Sequence, residues 1–526
     1  MKNKRLSLAD YAQRIVDARV YDVAIQSPLD VAPQLSRRLG NTVWLKREDL
    51  QPVFSFKLRG AYNKMSGLSD RERRRGVIAA SAGNHAQGVA LAAQKLGCRA
   101  TLVMPVTTPR IKIDAVKQRG ATVILKGDTY DEAYKEALRL SHQRQLTFIH
   151  PYNDPAVIAG QGTIGMEILR QHPEPIDAIF IAVGGGGLMA GIGAYVKQWH
   201  PQTKIIGVEP TDSDAMRRSL AAGRRMRLDH VGLFADGVAV KEVGDETFRV
   251  CKEVVDAMIV VDTDAICAAI KDVFEETRSI LEPAGALAIA GMKAYVQARG
   301  VKHQDLVAVA CGANMNFDRL RFVAERAEVG EEREAIFAVT IPERPGSFKA
   351  FCRLIGKRNI TEFNYRYAQA TEAHVFVGVQ VEDYKARKRL AQTLKKAKLK
   401  ALDLTQDEMA KLHLRHLVGG RAAHVQNELL YRFEFPERPG ALMKFLTHLG
   451  NRSADSSSKR AGAPTSEGGW NISLFHYRNA GADYGRVLVG LQVPPKEGPA
   501  FKQFLAQLGY PWVDETQNPA YQLFLA

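Results

Sequence analysis

The chain is 526 residues long with 46% hydrophobic and 25% charged residues, enough for about three domains at roughly 150 residues each, and it reads as a soluble globular protein. No apolar run approaches the roughly 18 residues of a membrane-crossing helix, and residues 1–10 lack the apolar core of a secretory signal, so no membrane partner and a cytoplasmic location are expected. The net charge of +16 is dispersed, and its densest runs, 71–75 and 385–400, read as solvated helix faces without interleaved aromatics; this disfavours a nucleic-acid partner and leaves room for a negatively charged small molecule.

From residue 42 to about 312, short β-branched runs alternate with helical patterns. The runs are 77–80, 100–104, 122–125, 178–183, 204–208 and 306–310, and such alternation predicts parallel sheets covered by helices on both faces. Ligands in that architecture sit beyond the carboxyl ends of the strands. Just after a strand-like stretch at 42–48 comes Ser55-Phe56-Lys57-Leu58-Arg59-Gly60-Ala61, with Lys57 between an aromatic residue and a helix start. A lysine amine becomes a useful nucleophile only when its surroundings lower its pKa, and its usual product is then a Schiff base with a carbonyl cofactor.

Three further loops follow strands. Ser81-Ala82-Gly83-Asn84-His85 is a small polar turn opening a helix; its amides suit a carboxylate and the Asn84 amide a ring substituent, although the same turn serves equally as a simple N-cap. Gly184, Gly185, Gly186 and Gly187 let the backbone wrap an anion at a helix N-terminus, which is a phosphate signal. It lacks the dinucleotide G-x-G-x-x-G spacing, and no Gly-Lys-Ser/Thr follows it. The last loop is Cys311-Gly312-Ala313-Asn314. Read alone, Cys311 is a small buried hydrophobe, and the five cysteines have neither disulfide nor zinc-ligand spacing.

Together these features resemble the pyridoxal-phosphate (PLP) enzymes of the tryptophan synthase β type and, within them, the biosynthetic threonine dehydratases, over almost the whole chain. The resemblance implies an α/β catalytic region of PLP fold type II, with two parallel or mixed-sheet subdomains. It implies that Lys57 carries PLP, that Asn84 contacts the PLP 3-oxygen, and that Gly184 to Gly187, continued by Leu188, hold the phosphate. Amides around Ser81, Ala82, Gly83 and His85 would bind the substrate carboxylate. Where relatives place a serine on the pyridine nitrogen, this chain has Cys311. A thiol is a weaker donor but equally neutral, so the ring nitrogen stays largely unprotonated, which suits β-elimination. The implied activity is deamination of L-threonine to 2-oxobutanoate and ammonia, the first step of isoleucine biosynthesis, with L-serine as the competing substrate. Ala82 stands where serine racemases carry a second serine, which disfavours racemisation. No metal is required, and Glu209 and Asp214 are read as surface carboxylates rather than as the cation site of some relatives.

Beyond residue 316 the pattern changes to an internal repeat. Residues 337–346 (FAVTIPERPG) return as 431–440 (YRFEFPERPG), and 359–366 (NITEFNYR) as 471–478 (NISLFHYR). Each copy reads strand, Pro-Gly turn, helix, strand, hairpin, strand, and resembles an ACT-like effector domain. By that resemblance isoleucine inhibits, valine opposes it, and the protein is a homo-oligomer, a tetramer. The expected organisation is a catalytic domain at 1–320, a connector at 321–335, α+β ACT-like domains at 336–410 and 430–526, and a connector at 411–429 between them. Two residues separate Gly356 from Asn359, but twenty separate Gly450 from Asn471. The excess, 451–469, is rich in Ser, Gly, Pro and charge, and is expected to be a flexible, disordered insertion. Two other readings are a different PLP enzyme, such as a serine dehydratase or threonine synthase, and a non-catalytic amino-acid sensor. The intact Lys57 argues against the sensor.

Overall fold

The computed structural model describes residues 5–342, 347–356, 358–367, 372–416, 425–436, 441–450, 470–478 and 484–525. The insertion at 451–469 and both Pro-Gly turns, 343–346 and 437–440, lie outside these residues. The chain divides into two compact units, 1–327 and 328–526.

The first unit is one lobe nested inside another. The chain starts the larger sheet with β1 (Leu29–Val31) and β2 (Thr42–Arg47), then leaves it for a smaller one. The smaller sheet comprises β3 (Val77–Ala80), β4 (Ala100–Met104), β5 (Thr122–Leu125) and β6 (Thr147–Phe148). The chain then returns for β7 (Ala178–Ala182), β8 (Lys204–Pro210), β9 (Ala257–Val261) and β10 (Asp305–Ala310). The orders are β1-β2-β10-β7-β8-β9 and β5-β4-β3-β6, and apart from the antiparallel β1–β2 pair every pairing in both sheets is parallel. Helices cover both faces, so the central strands are apolar throughout: all five residues of β7 and all four of β3 are buried. The six runs predicted from sequence all form strands. The short β1 and β6 carry no such signal, while the edge strand β9, with Ile259, Val260 and Val261, carries one that the sequence analysis did not pick out.

The helix Lys57–Ser66 lies between the lobes, wedged against two other helices by glycines. A Cβ on Gly88 would stand 3.0 Å from the Leu58 nitrogen, and one on Gly160 would stand 2.7 Å from the Gly60 Cα. The axis that aims Lys57 is thus fixed by backbone contact.

In the second unit the repeat is structural as well. The first copy has β11 (Glu334–Pro342), β12 (Ile360–Tyr367), β13 (Glu372–Gln380) and β14 (Lys400–Asp403); the second has β15 (Glu428–Pro436), β16 (Asn471–Arg478), β17 (Tyr484–Gln492) and β18 (Trp512–Asp514). Both sheets are antiparallel with equivalent orders, β12-β13-β11-β14 and β16-β17-β15-β18. The register slips at the same place in each, between Ile360 and Glu362 and between Ile472 and Leu474. Each copy is longer than its sequence pattern implies. A second helix (Tyr384–Lys396 or Gly498–Leu508), a fourth strand and a closing short helix (Glu408–Leu412 or Pro519–Phe524) complete it. One apolar cluster, including Ile336, Ala338, Phe376, Leu430, Leu488 and Phe524, draws on both copies and joins the two sheets. The basic run at 385–400 mostly forms the first of those second helices, with Leu390 and Leu394 buried and its last turn carrying Lys395 and Lys396.

Candidate active site

Lys57 opens its helix at the carboxyl-end side of the large sheet. The residues before it are zipped to the loop after β10: Ser55 bridges Gly312, the Phe56 amide donates to the Cys311 carbonyl at 3.3 Å, and the Ala313 amide to the Phe54 carbonyl at 2.8 Å. The predicted Lys57–Cys311 association is therefore enforced by backbone pairing. The Lys57 ammonium has a single long bond, 3.3 Å to the Pro151 carbonyl, and sits 5.1 Å from the centre of the Phe56 ring. Burial pushes its pKa down to about 8, with the nearby Cys311 and Glu282 only partly opposing. Cys311 is buried, its thiol donating to the Ala284 carbonyl at 3.3 Å, and burial followed by the Glu282 charge pushes its pKa well up, so it stays a neutral thiol.

Glu282, which the sequence analysis missed, lies among these groups. It is the residue before the helix Pro283–Arg299, and its Oε1 accepts from the Asn84 Nδ2 at 2.5 Å. Burial, then the charge of Asp236, raises its pKa to about 7. Asn84 in turn accepts from Asn314 at 2.7 Å, and Asn314 also donates to the Val53 carbonyl at 2.8 Å. A polar chain thus crosses the cleft from small lobe to large. An acidic residue ahead of a helix-opening proline was the available signal, but nothing local marked it as buried.

Ser81, Ala82, Gly83 and Asn84 are half-buried at the start of the helix Asn84–Leu96, which has no side-chain cap. One amide is satisfied internally, Gly83 N to Ser81 Oγ at 3.2 Å. The His85 ring is committed elsewhere: its Nε2 meets the Ile149 carbonyl at 2.8 Å, and burial together with Lys57 holds its pKa near about 3. His85 therefore offers the turn its amide rather than its imidazole.

Gly186 adopts φ 93°, which side chains rarely tolerate, and begins the uncapped helix Gly187–Trp199. The carbonyl of Gly185 is held from outside by the Thr247 hydroxyl at 2.6 Å, and Leu188 is buried behind the loop. Tyr152, also unforeseen, packs on the glycines; a Cβ on Gly185 would come within 2.3 Å of its ring, and one on Gly187 within 2.9 Å of its own Cβ. Because Pro151 accepts from Lys57 while Tyr152 lines the glycine loop, the segment 150–153 joins the two predicted ends of a cofactor. The residues fit PLP. A half-buried, weakly bonded amine, a neutral thiol, an uncapped glycine-rich helix start and the orphaned buried hydroxyl of Ser55 all stand in one cleft.

Glu209 and Asp214 are not surface carboxylates. Glu209 is fully buried and accepts the Met216 and Arg217 amides, both at 2.8 Å, at the start of the helix Ala215–Ala222, while Asp214 pairs with Arg217 and Arg218. The glutamate bridges from β8 to the first turn of that helix, so the position is dictated by backbone donors. Among the described residues no group of three or more potential ligands forms a metal cluster.

Residues 20–312 match the family of pyridoxal-phosphate dependent enzymes, and 325–414, 419–456 and 465–525 match the C-terminal regulatory domain of threonine dehydratase. The chain is 59% identical to the L-threonine dehydratase biosynthetic IlvA of Burkholderia multivorans, covering 98% of this chain and 99% of that one. It is 50% identical to the protein of the same name from Escherichia coli, over 98% and 97%. Among solved structures it is similar to the processed form of threonine deaminase isoform 2 from Solanum lycopersicum, with 56% identity, TM-score 0.60, and coverage of 61% of this chain and 88% of that one.

Proposed function

The chain belongs to the pyridoxal-phosphate dependent enzymes, in the biosynthetic threonine dehydratase family, and from that premise we propose that Lys57 is the residue that carries the cofactor and moves the substrate proton. The reaction is the PLP-dependent deamination of L-threonine to 2-oxobutanoate and ammonia. The observation that carries the assignment is the state of Lys57: a half-buried lysine whose amine has one long hydrogen bond and a pKa lowered to about 8.

When bound, PLP supplies an aldehyde for the substrate's amino group and a conjugated ring that takes up the electron pair left on Cα. The chain's own residues do the rest. With the Ser81 amide given to the Val103 carbonyl and the Gly83 amide to Ser81 Oγ, the turn's remaining amides, at Ala82, Asn84 and His85, would bind the threonine carboxylate, and the glycine loop from Gly184 to Leu188 would hold the phosphate. Asn84, held by Glu282 and Asn314, would offer its amide to the ring's 3-oxygen. Cys311, a thiol kept neutral by burial, would face the ring nitrogen and could donate to it only by turning its one S–H from the Ala284 carbonyl. Lys57 in its free-base form would accept the Cα proton, the β-hydroxyl would leave as water with that proton's equivalent returned to it, and the released aminocrotonate hydrolyses to the keto acid and ammonia.

An amino-acid effector acts through the second unit. Isoleucine as inhibitor, valine as its antagonist, a tetrameric assembly and a cytoplasmic location complete the reading. No helix among the described residues is long and apolar enough to cross a membrane. The test is a steady-state comparison of 2-oxobutanoate formation from L-threonine with pyruvate formation from L-serine. A higher kcat/KM for threonine is expected, and a preference for serine would replace the reading with a serine dehydratase.

A further inference from the structure

Asp236 lies in the segment between β8 and β9 and is shared by two cations from different parts of the first unit. Its Oδ2 takes the Lys112 ammonium at 2.7 Å. Its Oδ1 takes the Gly237 amide at 3.1 Å and the Arg319 Nη1 at 3.4 Å, and that same guanidinium nitrogen donates to the Phe234 carbonyl at 3.1 Å.

Each cation has a telling address. Lys112 belongs to the helix Arg110–Lys117 of the small lobe, and its Nζ lies 4.0 Å from where a Cβ on Gly83 would stand, beside the turn proposed to bind the threonine carboxylate. Arg319 is buried and opens the helix Arg319–Gly330, which runs through the boundary at Ala327 into the unit carrying the repeats. That helix grips the Asp236 segment at a second point, with the Phe322 and Phe234 rings 5.2 Å apart, and is itself pinned by the buried Arg326–Asp264 ion pair. The segment has little room to slide. A Cβ on Gly237 would approach the Ala284 Cβ to 2.9 Å, beside Glu282 at the heart of the cleft.

We propose that Asp236 is a positioning residue that ties the threonine-binding turn to the connector helix, so that displacement of Arg319 changes threonine affinity through Lys112. The charges set the sign. A carboxylate shared between two cations neutralises each only in part; when Arg319 withdraws, Lys112 becomes the one of these two cations still held by Asp236, and the lysine offers less charge to an incoming carboxylate. Neither Lys57 nor the glycine loop bonds to Asp236 or Arg319, and the Asp236 charge reaches the cofactor side only through Glu282, so the larger effect falls on substrate binding and the smaller on kcat. The inference rests on the threonine dehydratase reading and gives its regulation a route.

The experiment uses the full-length holoenzyme and measures KM for threonine, kcat and the visible absorbance of bound cofactor. Arg319→Gln is expected to raise KM threefold to tenfold, with kcat within twofold and the absorbance unchanged. Arg319→Lys, which keeps the charge, is expected to stay within threefold of wild type in KM; a value as high as that of the glutamine variant would indicate a packing defect and overturn the relay. In the Asp236→Asn background, Arg319→Gln is expected to add less than twofold, because the carboxylate is the link. Unchanged KM in Arg319→Gln, or effects that simply multiply, would also overturn it. Isoleucine, still bound by Asp236→Asn in equilibrium dialysis, should no longer raise its KM for threonine. If the wild type itself ignored isoleucine, the effector reading would fall, and the KM cycle alone would decide the relay.

Discussion

Lys57 and Arg59 stand two residues apart on one helix, the first half-buried and the second fully enclosed, and their surroundings could hardly differ more. Arg59 is completely enclosed and fully paired: Glu48 takes its Nε and Nη2 at 2.8 and 2.7 Å, Glu167 its Nη1 and Nη2 at 2.6 and 3.0 Å, and Thr163 its Nη1 at 3.0 Å. Lys46 completes the set, 2.6 Å from Glu167. Burial alone would raise the Glu48 carboxyl, but Arg59, Lys46 and the Ser27 hydroxyl outweigh it and hold the group ionised. Around Lys57 the balance reverses, with one long bond, a thiol kept neutral and a glutamate pushed to about 7. Two cations drawn out of water thus end as a locked charge in one place and a labile one in the other; the more enclosed of the two is the locked one, because its partners are supplied. The locked side holds the helix; the labile side is left for a ligand to complete.

The sharpest way to break the contrast is to delete each pole. Lys57→Ala should lower turnover by about 10²–10⁴-fold or more and abolish the cofactor's visible absorbance while the far-UV spectrum is retained. Arg59→Met should act the other way, costing about 3–5 kcal/mol in urea unfolding because two buried carboxylates lose their shared cation. A stable Arg59→Met protein would show that the network is not the helix's anchor.

A pH series sharpens the labile pole. The neutral amine is the form that condenses with the cofactor's aldehyde, so the rate at which the cofactor-free protein takes up PLP should climb with pH and level off above about 8. The same shift predicts that the cofactor-free protein gains stability between about 8 and the ordinary lysine value of 10.5. In that window the unfolded chain holds the proton and the folded chain does not. An uptake rate that fell as pH rose toward about 8 would contradict the role given to Lys57. The smallest change expected is at Cys311. Cys311→Ser exchanges one neutral donor for another and should keep kcat within about threefold, on the order of 0.7 kcal/mol. Cys311→Asp, which introduces a charge facing the ring nitrogen, should lower kcat further and shift the absorbance of the bound cofactor.

Legibility followed the range of the interaction. Lys57, Asn84, Cys311 and the loop from Gly184 to Leu188 follow strands in local patterns, and the cleft collects them because parallel strands end on one side. Glu282, Tyr152, Lys112 and Asp236 carry no such pattern; their roles come from which loops meet across the two lobes. The doubled unit was visible through its matching strands, yet the closing parts of each copy escaped notice because their matches are sparse. Asp403 and Asp514 sit alike, and Thr405 and Thr516 each accept from the backbone of the opening strand, at Ile336 and Leu430, both at 3.0 Å. Glu209 was misplaced for a related reason, since only the fold shows that two helix amides converge on it.

The apolar cluster joining the two repeats has a consequence for how such a module could exist at all. A single copy would present Ile336, Ala338 and Phe376, or their counterparts Leu430 and Leu488, to water. Its simplest remedy would be to pair with another chain through that face, at a concentration-dependent cost. Placing both copies on one chain makes the pairing intramolecular, with an effective concentration on the order of millimolar that dilution cannot erode. The tandem is, in this sense, a dimer written into a single polypeptide. Because its halves are covalently joined they are free to diverge: the first sets Arg415 against its buried Glu334, while the second sets the Tyr521 hydroxyl against Glu428, an asymmetry that two identical subunits could not have acquired.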